Sequence, residues 1–328
     1  MQPAVKETLL NMFADRPGQF LSGQQISEAL GCSRTAVWKY IEDLRKEGFR
    51  LEAVPRKGYR ITALPETLSG SAIRFGLKTA WFGGTVEVHD ALPSTQKTAH
   101  IRSNEGAAEG TVIAAEKQTE GRGRLNRSWD SIAGKGIWMS IILRPDIPPR
   151  QAPQLTLLAA AAVRTGIQKV TGLTSDIKWP NDLLINGRKV AGILTELQAD
   201  PDRVQAVIIG IGLNVNHDLA DFPAHLQDKA SSLAAEGGVH FNRNAVIAGI
   251  LEELESLYFK YLKEGFAPVK QAWEEGAVSI GRKITATTVT STLTGYAVGI
   301  TGDGVLLLKD EEGAIHQIYS ADIEIVPR

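Results

Sequence analysis

The chain has 328 residues, 43% hydrophobic and 22% charged, with a formal net charge of −1, the composition of a folded protein with more than one domain; its overall charge predicts no polyanion partner. The longest apolar run, around Leu155 to Val163, is too short to cross a bilayer, and no basic segment followed by an apolar one opens the chain, so neither a membrane span nor a secretion signal is expected. One cysteine, Cys32, excludes an intramolecular disulfide framework and a cysteine zinc cage, and a reducing cytoplasm is the expected setting.

Residues 1–65 hold ten Lys+Arg against seven Asp+Glu, a surplus of three positive charges, so the remainder carries −4. The asymmetry hints that the N-terminal piece is the part that approaches nucleic acid. Val5, Leu9, Met12 and Phe13 recur at helical spacing until the breakers Pro17 and Gly18. A second helix starts at Ser22, with Gln25 placed for a capping box, and stops at Gly31 after Ile26 and Leu30. Ser33 caps a third, which buries Val37, Ile41 and Leu44 and presents Arg34, Thr35, Trp38 and Lys39 on the opposite face. Two short helices across a tight turn form a helix-turn-helix pattern, and "FRLEAVPRKGYRIT" adds a hairpin with Arg56 and Lys57 at its tip. The unit reads as a winged helix-turn-helix in which Ser33, Arg34, Thr35, Trp38 and Lys39 meet DNA and Arg56 and Lys57 meet phosphates. A helical docking domain with a solvated basic face is the other reading.

After "TALPETLSG", which reads as a linker, short strands alternate with helices. Strands are expected at "TVEVHDAL", "TVIAAEKQ", "GIWMSIILR", "SDIKWPNDLLI", "RKVAGILTELQ" and "AVIIGIGLNVN", and long helices at "APQLTLLAAAAVRTGIQKV" and "RNAVIAGILEELESLYFKYL". Asn186-Gly187 is a hairpin turn signal, so the expected fold is α+β, a mixed and largely antiparallel sheet backed by helices. No GxxxxGK[ST] occurs, and neither Gly121-Arg-Gly123 nor Gly210-Ile-Gly212 continues into a dinucleotide-binding turn. The loop "KQTEGRGRLNRSWDS" gathers Arg122, Arg124 and Arg127 around glycines that let backbone close on a ligand, the makings of a clamp for phosphate or carboxylate. Its mutual repulsion predicts a loop that orders when an anion neutralises it, although three loop arginines are more often a solvated tip. "STQ" at Ser94–Gln96, "KWPND" at Lys178–Asp182 and "RKVAGILTE" add polar groups that strands could bring to one cleft.

"GRGR" followed by Trp129, then "KWPND", "GRKVAGILTE" and "GIGLNVN", behind a winged helix-turn-helix, resembles the bacterial biotin–protein ligase and biotin operon repressor family over nearly the whole chain. The resemblance implies a winged domain over 1–65, a catalytic domain of class II synthetase-like biotin ligase fold over 66–277, and a small SH3-like barrel over 278–328. The family joins biotin to ATP as biotinyl-5′-adenylate and passes the biotin to a lysine of a biotin carboxyl carrier domain, in acetyl-CoA carboxylase and other biotin-dependent carboxylases. Two negative reactants must meet, so cations are needed at the junction. The resemblance places Arg122, Arg124, Lys178 and Lys189 there, with Arg122 toward biotin, Arg124 gating and holding the adenylate, and Lys189 at the carboxylate–phosphate junction. It implies ureido contacts from Ser94, Thr95 and Gln118, with Gln96 beside them, and close backbone approach at Gly192, Gly210 and Gly212. Trp129, Asn181 and Asn214 would hold the adenylate, and magnesium would arrive on the phosphates without a protein ligand set of its own.

Transfer needs a neutral amine, yet a free lysine with a pKa near ~10.4 is protonated at neutral pH; Asp182 is the candidate to orient and deprotonate it, with a structural turn role as the alternative. The family's further glycine is replaced by Leu125-Asn126, which suggests a stiffer loop. The family also implies a homodimer, promoted by biotinyl-5′-adenylate, that presents two winged domains to a two-fold operator. A lipoate–protein ligase and a non-catalytic small-molecule regulator are the competing readings.

Overall fold

The computed structural model describes residues 1–201, 203–288 and 290–326. At the N-terminus, helices α1 (Pro3–Ala14), α2 (Gly23–Leu30) and α3 (Arg34–Lys46) precede the hairpin β1 (Arg50–Val54) and β2 (Gly58–Ala63). The helix ends follow their local chemistry. Ser22 Oγ accepts from Gln25 N at 3.1 Å while Gln25 Oε1 accepts from Ser22 N at 2.8 Å, Gly31 closes α2 with φ 60°, and Ser33 caps α3 through Ala36 N. Leu9, Phe13, Leu21, Ile26, Val37, Ile41, Leu44 and Phe49 form the buried core, each large apolar side chain stabilising the fold by about 1.5–3 kcal/mol. Tyr59 exchanges two backbone hydrogen bonds with Leu21, which fixes the wing to the helices. Gly58, with φ 108°, passes so close to the Leu21 carbonyl that no side chain fits there.

The segment after β2 is anchored rather than free. Buried Arg243 donates to the Glu66 carbonyl at 3.0 Å, Asn244 to those of Pro65 and Thr67, and Glu116 accepts from Leu68 N at 2.7 Å. The short helix α4 (Gly70–Arg74) lends Ala72 to the N-terminal core, and Phe75 follows it there.

The central sheet contains β3 (Val86–His89), β4 (Val112–Ala115), β5 (Gly136–Leu143), β6 (Asp176–Lys178), β7 (Asp182–Ile185), β8 (Arg188–Ala199) and β9 (Val204–Asn214), in the order β3-β4-β5-β9-β8-β7-β6. Only β3 and β4 run parallel; the other neighbours are antiparallel. Helix α5 (Thr95–Asn104) connects β3 to β4 and α6 (Ala152–Thr171) connects β5 to β6; α7 (Leu233–Gly237), α8 (Arg243–Glu264) and α9 (Ala267–Glu274) follow β9. Asn186 (φ 51°) and Gly187 (φ 77°) make the expected hairpin turn. "SDIKWPNDLLI" is not one strand but the β6–β7 hairpin: Pro180 cannot join a ladder, and Asn181 instead brackets Ile193, its Nδ2 donating to Ile193 O and its carbonyl accepting from Ile193 N, both at 2.9 Å.

Odd-numbered residues of β9, such as Ile209 and Ile211, face the core made with Leu155, Leu158, Ile250 and Leu254 of α6 and α8. On the opposite face α5 covers Ile113, Ile142 and Ile208 through Ala99, and beyond its N-terminus the sheet carries Gly210, Gly212 and Gly192. The C-terminal strands β10 (Lys283–Thr287), β11 (Thr292–Ile300), β12 (Leu306–Lys309), β13 (Ile315–Ile318) and β14 (Asp322–Ile325) form an antiparallel sheet ordered β13-β12-β11-β10-β14. Its inner residues, among them Ile284, Ala297 and Leu308, continue the central core. Among the described residues no helix is long and apolar enough to cross a membrane.

Candidate active site

Cross-strand pairing sets the floor of a cavity of about 390 Å³. Gly212 on β9 stands between Gly192 on β8 and Trp138 on β5, and Gly210 stands between Leu194 and Ser140. The glycines are required by what lies on them. A Cβ on Gly210 would be 2.6 Å from Gln96 Oε1, one on Gly212 2.6 Å from the Trp129 indole, and one on Gly192 2.8 Å from the same ring.

One end of the cavity is polar and neutral. The N-terminus of α5 brings Ser94, Thr95 and Gln96 to the wall, all buried. Gln118 Oε1 accepts from Thr95 N at 2.9 Å while its Nε2 donates to Ser131 Oγ. Ser140 Oγ donates to Gln96 Oε1 at 2.9 Å, and Gln96 Nε2 donates to Ile208 O at 3.0 Å. The polar atoms are thus held in fixed positions, as recognition of a neutral polar ring requires.

The other end is cationic. The arginine loop is folded: Gly123 N donates to Arg127 O and Trp129 N to Gly121 O. Arg124 donates to Asn181 Oδ1 and to Ser320 Oγ, both at 2.9 Å, and Arg127 pairs with Asp322, so the C-terminal sheet holds the loop. Burial pulls the Arg124 guanidinium below its ordinary value against the pull of Asp322 and Asp182; an arginine stays charged all the same. Arg122 is exposed at the cavity mouth. Lys189 Nζ stands 2.7 Å from Asp182 Oδ1, an ion pair off the hydrogen-bonding line, and 5.3 Å from the centre of the Trp129 ring. Asn214 lines the wall while its Nδ2 donates to Ser231 O.

Lys178 is not among the residues of the cavity wall. It ends β6 opposite Asp182, because the chain turns at 179–181. Leu125 of the arginine loop is left-handed (φ 55°, ψ 33°). Sequence reasoning passed over His217, Phe222, Lys229 and Asp322, all of which line the cavity. His217 packs against Phe222 at 5.2 Å and Trp138 at 6.0 Å between ring centres, and burial pushes its imidazole down to about 4. Trp129 Nε1 and His217 Nδ1 have no hydrogen-bond partner among the described residues. On the N-terminal unit, Arg34, Thr35, Trp38 and Lys39 lie exposed on α3, Arg34 reaching Gln24, with Ser33 at its start and Arg56 and Lys57 exposed at the wing tip.

A mixed sheet with a glycine floor between a neutral and a cationic end, behind a winged helix-turn-helix, defines a protein ligase of the biotin and lipoate class joined to a DNA-binding unit. Family models agree by segment: an HTH domain over residues 5–60, the Biotin/lipoate A/B protein ligase family over 88–214 and the Biotin protein ligase C terminal domain over 279–326. The chain is 54% identical over 325 residues to the bifunctional ligase/repressor BirA of Bacillus subtilis, covering 99% of this chain and 100% of that one. To BirA of Escherichia coli it is 30% identical over 308 residues, 94% of each chain. The biotin protein ligase of Aquifex aeolicus in complex with biotin and ATP superposes with a TM-score of 0.65 at 28% identity, over 74% of this chain and 100% of that one. The chain belongs to the bifunctional biotin ligase/repressor family.

Proposed function

We propose that this cavity performs both half-reactions of a biotin–protein ligase, and that the winged domain makes the same chain a biotin-dependent repressor of biotin synthesis and transport genes. The observation that carries the reading is the single glycine floor shared by the fixed polar end and the cationic end. The neutral ureido ring of biotin fits the Ser94, Thr95 and Gln118 end, and its valeryl tail crosses Gly210, short of the Trp129 indole that lies over Gly212. The carboxylate then meets the α-phosphate of ATP near Lys189, where Arg122 and Arg124 offset the charge that builds up during in-line attack. The carboxylate oxygen bonds to the α-phosphorus and pyrophosphate leaves. Asp182 on the wall is paired with Lys189; magnesium would come with the ATP phosphates and share their charge.

In transfer, the lysine amine of a biotin carboxyl carrier domain attacks the acyl carbon and AMP leaves. Lys189, drawn to the phosphate, releases Asp182 to take the amine proton. Asp182→Asn should slow transfer from preformed adenylate at least tenfold, within the range for general-base loss; an unchanged rate removes Asp182 from this role. Trp129, Asn181 and Asn214 enclose the adenylate. The enzyme works in the cytoplasm, where ATP and carrier domain meet. Biotin-dependent exchange of pyrophosphate into ATP, with no exchange supported by lipoate, tests the ligase assignment.

Operator binding by a homodimer completes the reading. β7 pairs only with the Arg188–Gly192 half of β8, so the stretch 194–199 presents an open edge with Leu197 exposed. Open edges invite a second strand, and an isologous antiparallel pairing there would place two wings on a two-fold operator. Adenylate is expected to strengthen this association; one association constant with and without it would refute the coupling.

A further inference from the structure

Two loops wall the cavity near Asn214, and one side chain ties them together. Lys135, between Gly134 and the start of β5, reaches across to the segment after β9, its Nζ 2.9 Å from Asp218 Oδ2 and 2.9 Å from Asp221 Oδ2. Its carbonyl accepts from Asn216 N at 2.6 Å, so backbone and side chain grip the same segment. Asp221 in turn accepts from Asp218 N at 2.8 Å, which closes a one-turn 3-10 helix over Leu219–Asp221. That turn lies between His217 and Phe222, whose rings stack at 5.2 Å with 23° between planes, and both line the cavity. Ser232 Oγ donates to His217 O at 2.6 Å at the near end of the segment and Gln227 Nε2 donates to Phe222 O at 3.0 Å at the far end; the Lys135 contacts hold the turn between those two anchors. Hydrogen bonds to Asp218 and Asp221 raise the Lys135 ammonium, and bonds from Lys135 and Asp218 N hold the Asp221 carboxyl below the usual range. Each group therefore stabilises the charged form of the other.

We infer that Lys135 is a positioning residue for the nucleotide half-reaction: by pairing with Asp218 and Asp221 it holds the His217–Phe222 wall against the base of ATP and so sets the affinity for nucleotide, with no part in biotin binding. The inference rests on the assignment of the Asn214 side of the cavity to the adenylate. The polar end that receives biotin is built from the start of α5, Gln118 and Ser140 in the middle of β5, whose side-chain hydrogen bonds do not involve the Lys135 side chain. A purine lying along stacked rings gains contact area only if those rings are already parallel to it, so freedom in the 217–222 segment lowers affinity without altering the chemistry at Lys189.

The test uses the full chain and pyrophosphate exchange into ATP. Lys135→Met should raise KM for ATP about three- to sixfold, the effect expected for one partly exposed ion-pair network. The turnover number and the biotin dissociation constant, titrated without ATP, should stay within error. Lys135→Arg should restore the ATP value, because a guanidinium can span both carboxylates. The double variant Asp218→Asn, Asp221→Asn should reproduce the Lys135→Met value from the other side of the contact. An unchanged KM for ATP in Lys135→Met, or equal losses for ATP and biotin, overturns the inference. Wild-type protein with no biotin-dependent exchange would instead overturn the ligase assignment beneath it, so the two failures are distinct.

Discussion

Replacing Gly212 with alanine perturbs the floor at one point. Its strand is extended and paired on both sides, so the backbone accepts alanine, but the new Cβ would stand 2.6 Å from Trp129 Cε2 and 2.8 Å from Cζ2 and Nε1. Carbon atoms at rest keep close to 3.5–4.0 Å, so the indole must withdraw from the floor. Overpacking of this kind costs about 1–3 kcal/mol, and an indole at the end of a loop side chain yields more readily than core, which favours the lower part, about 1–2 kcal/mol. If Trp129 covers the adenylate, that cost falls on nucleotide binding, a rise of about five- to thirtyfold in KM for ATP at 1.4 kcal/mol per factor of ten. Biotin affinity should change less than about threefold, because Gly210 and the Gln96–Ser140 contacts are untouched. Gly210→Ala should behave in the opposite way, since its Cβ meets Gln96 Oε1 at 2.6 Å. Pyrophosphate exchange gives the ATP value and calorimetry the biotin value. Weakened biotin binding with unchanged KM for ATP in Gly212→Ala would refute the assignment of Trp129.

Three other perturbations probe separate parts of the molecule. Arg34→Ala with Lys39→Ala should abolish operator retardation in a gel shift while ligase activity persists, because both side chains lie exposed on α3 away from the cavity. Leu125→Gly should leave stability unchanged or raise it by up to about 1.6 kcal/mol: a left-handed leucine costs about 1–2 kcal/mol, of which glycine's greater freedom in the unfolded chain offsets about 0.4–1. The side chain is 63% exposed and gives up little packing, so a large fall in melting temperature would contradict this. Burial, with Lys135 adding to it against Asp221 and Asp218, lowers His217 from 6.5 to about 4. Between those values the unfolded chain binds a proton that the folded one does not, so stability should decline as pH drops through this window. His217→Gln should flatten that decline in thermal unfolding, and equal slopes in both proteins would exclude His217 as its source.

Local chemistry made the N-terminal unit readable. Ser22, Gln25, Gly31 and Ser33 act on helix ends within a few residues, so their effect needs no tertiary context. The Asn186-Gly187 turn was legible for the same reason. Sheet order was not: β5 pairs with β9 and β3 runs parallel to β4, and neither choice leaves a mark in strand composition. "KWPND" brought Asn181 and Asp182 to the cavity wall, while Lys178, the last residue of β6 before the chain turns at 179–181, is not among the wall residues. Ser140 was visible as one polar residue inside the apolar run "GIWMSIIL", and its burial against Thr95 and Gln96 shows what that signal meant. Ser320 and Asp322 carried no comparable signal, since they reach Arg124 and Arg127 from a separate sheet almost two hundred residues away.

The central claim is that one cavity activates biotin and delivers it to a carrier lysine. Intact mass spectrometry of a purified biotin carboxyl carrier domain, after incubation with this protein, ATP, magnesium and biotin, with lipoate as the parallel substrate, tests it most directly. The account predicts one biotinyl increment per carrier domain and none from lipoate. A lipoyl increment, or an unmodified carrier that a known biotin ligase does modify, would contradict it.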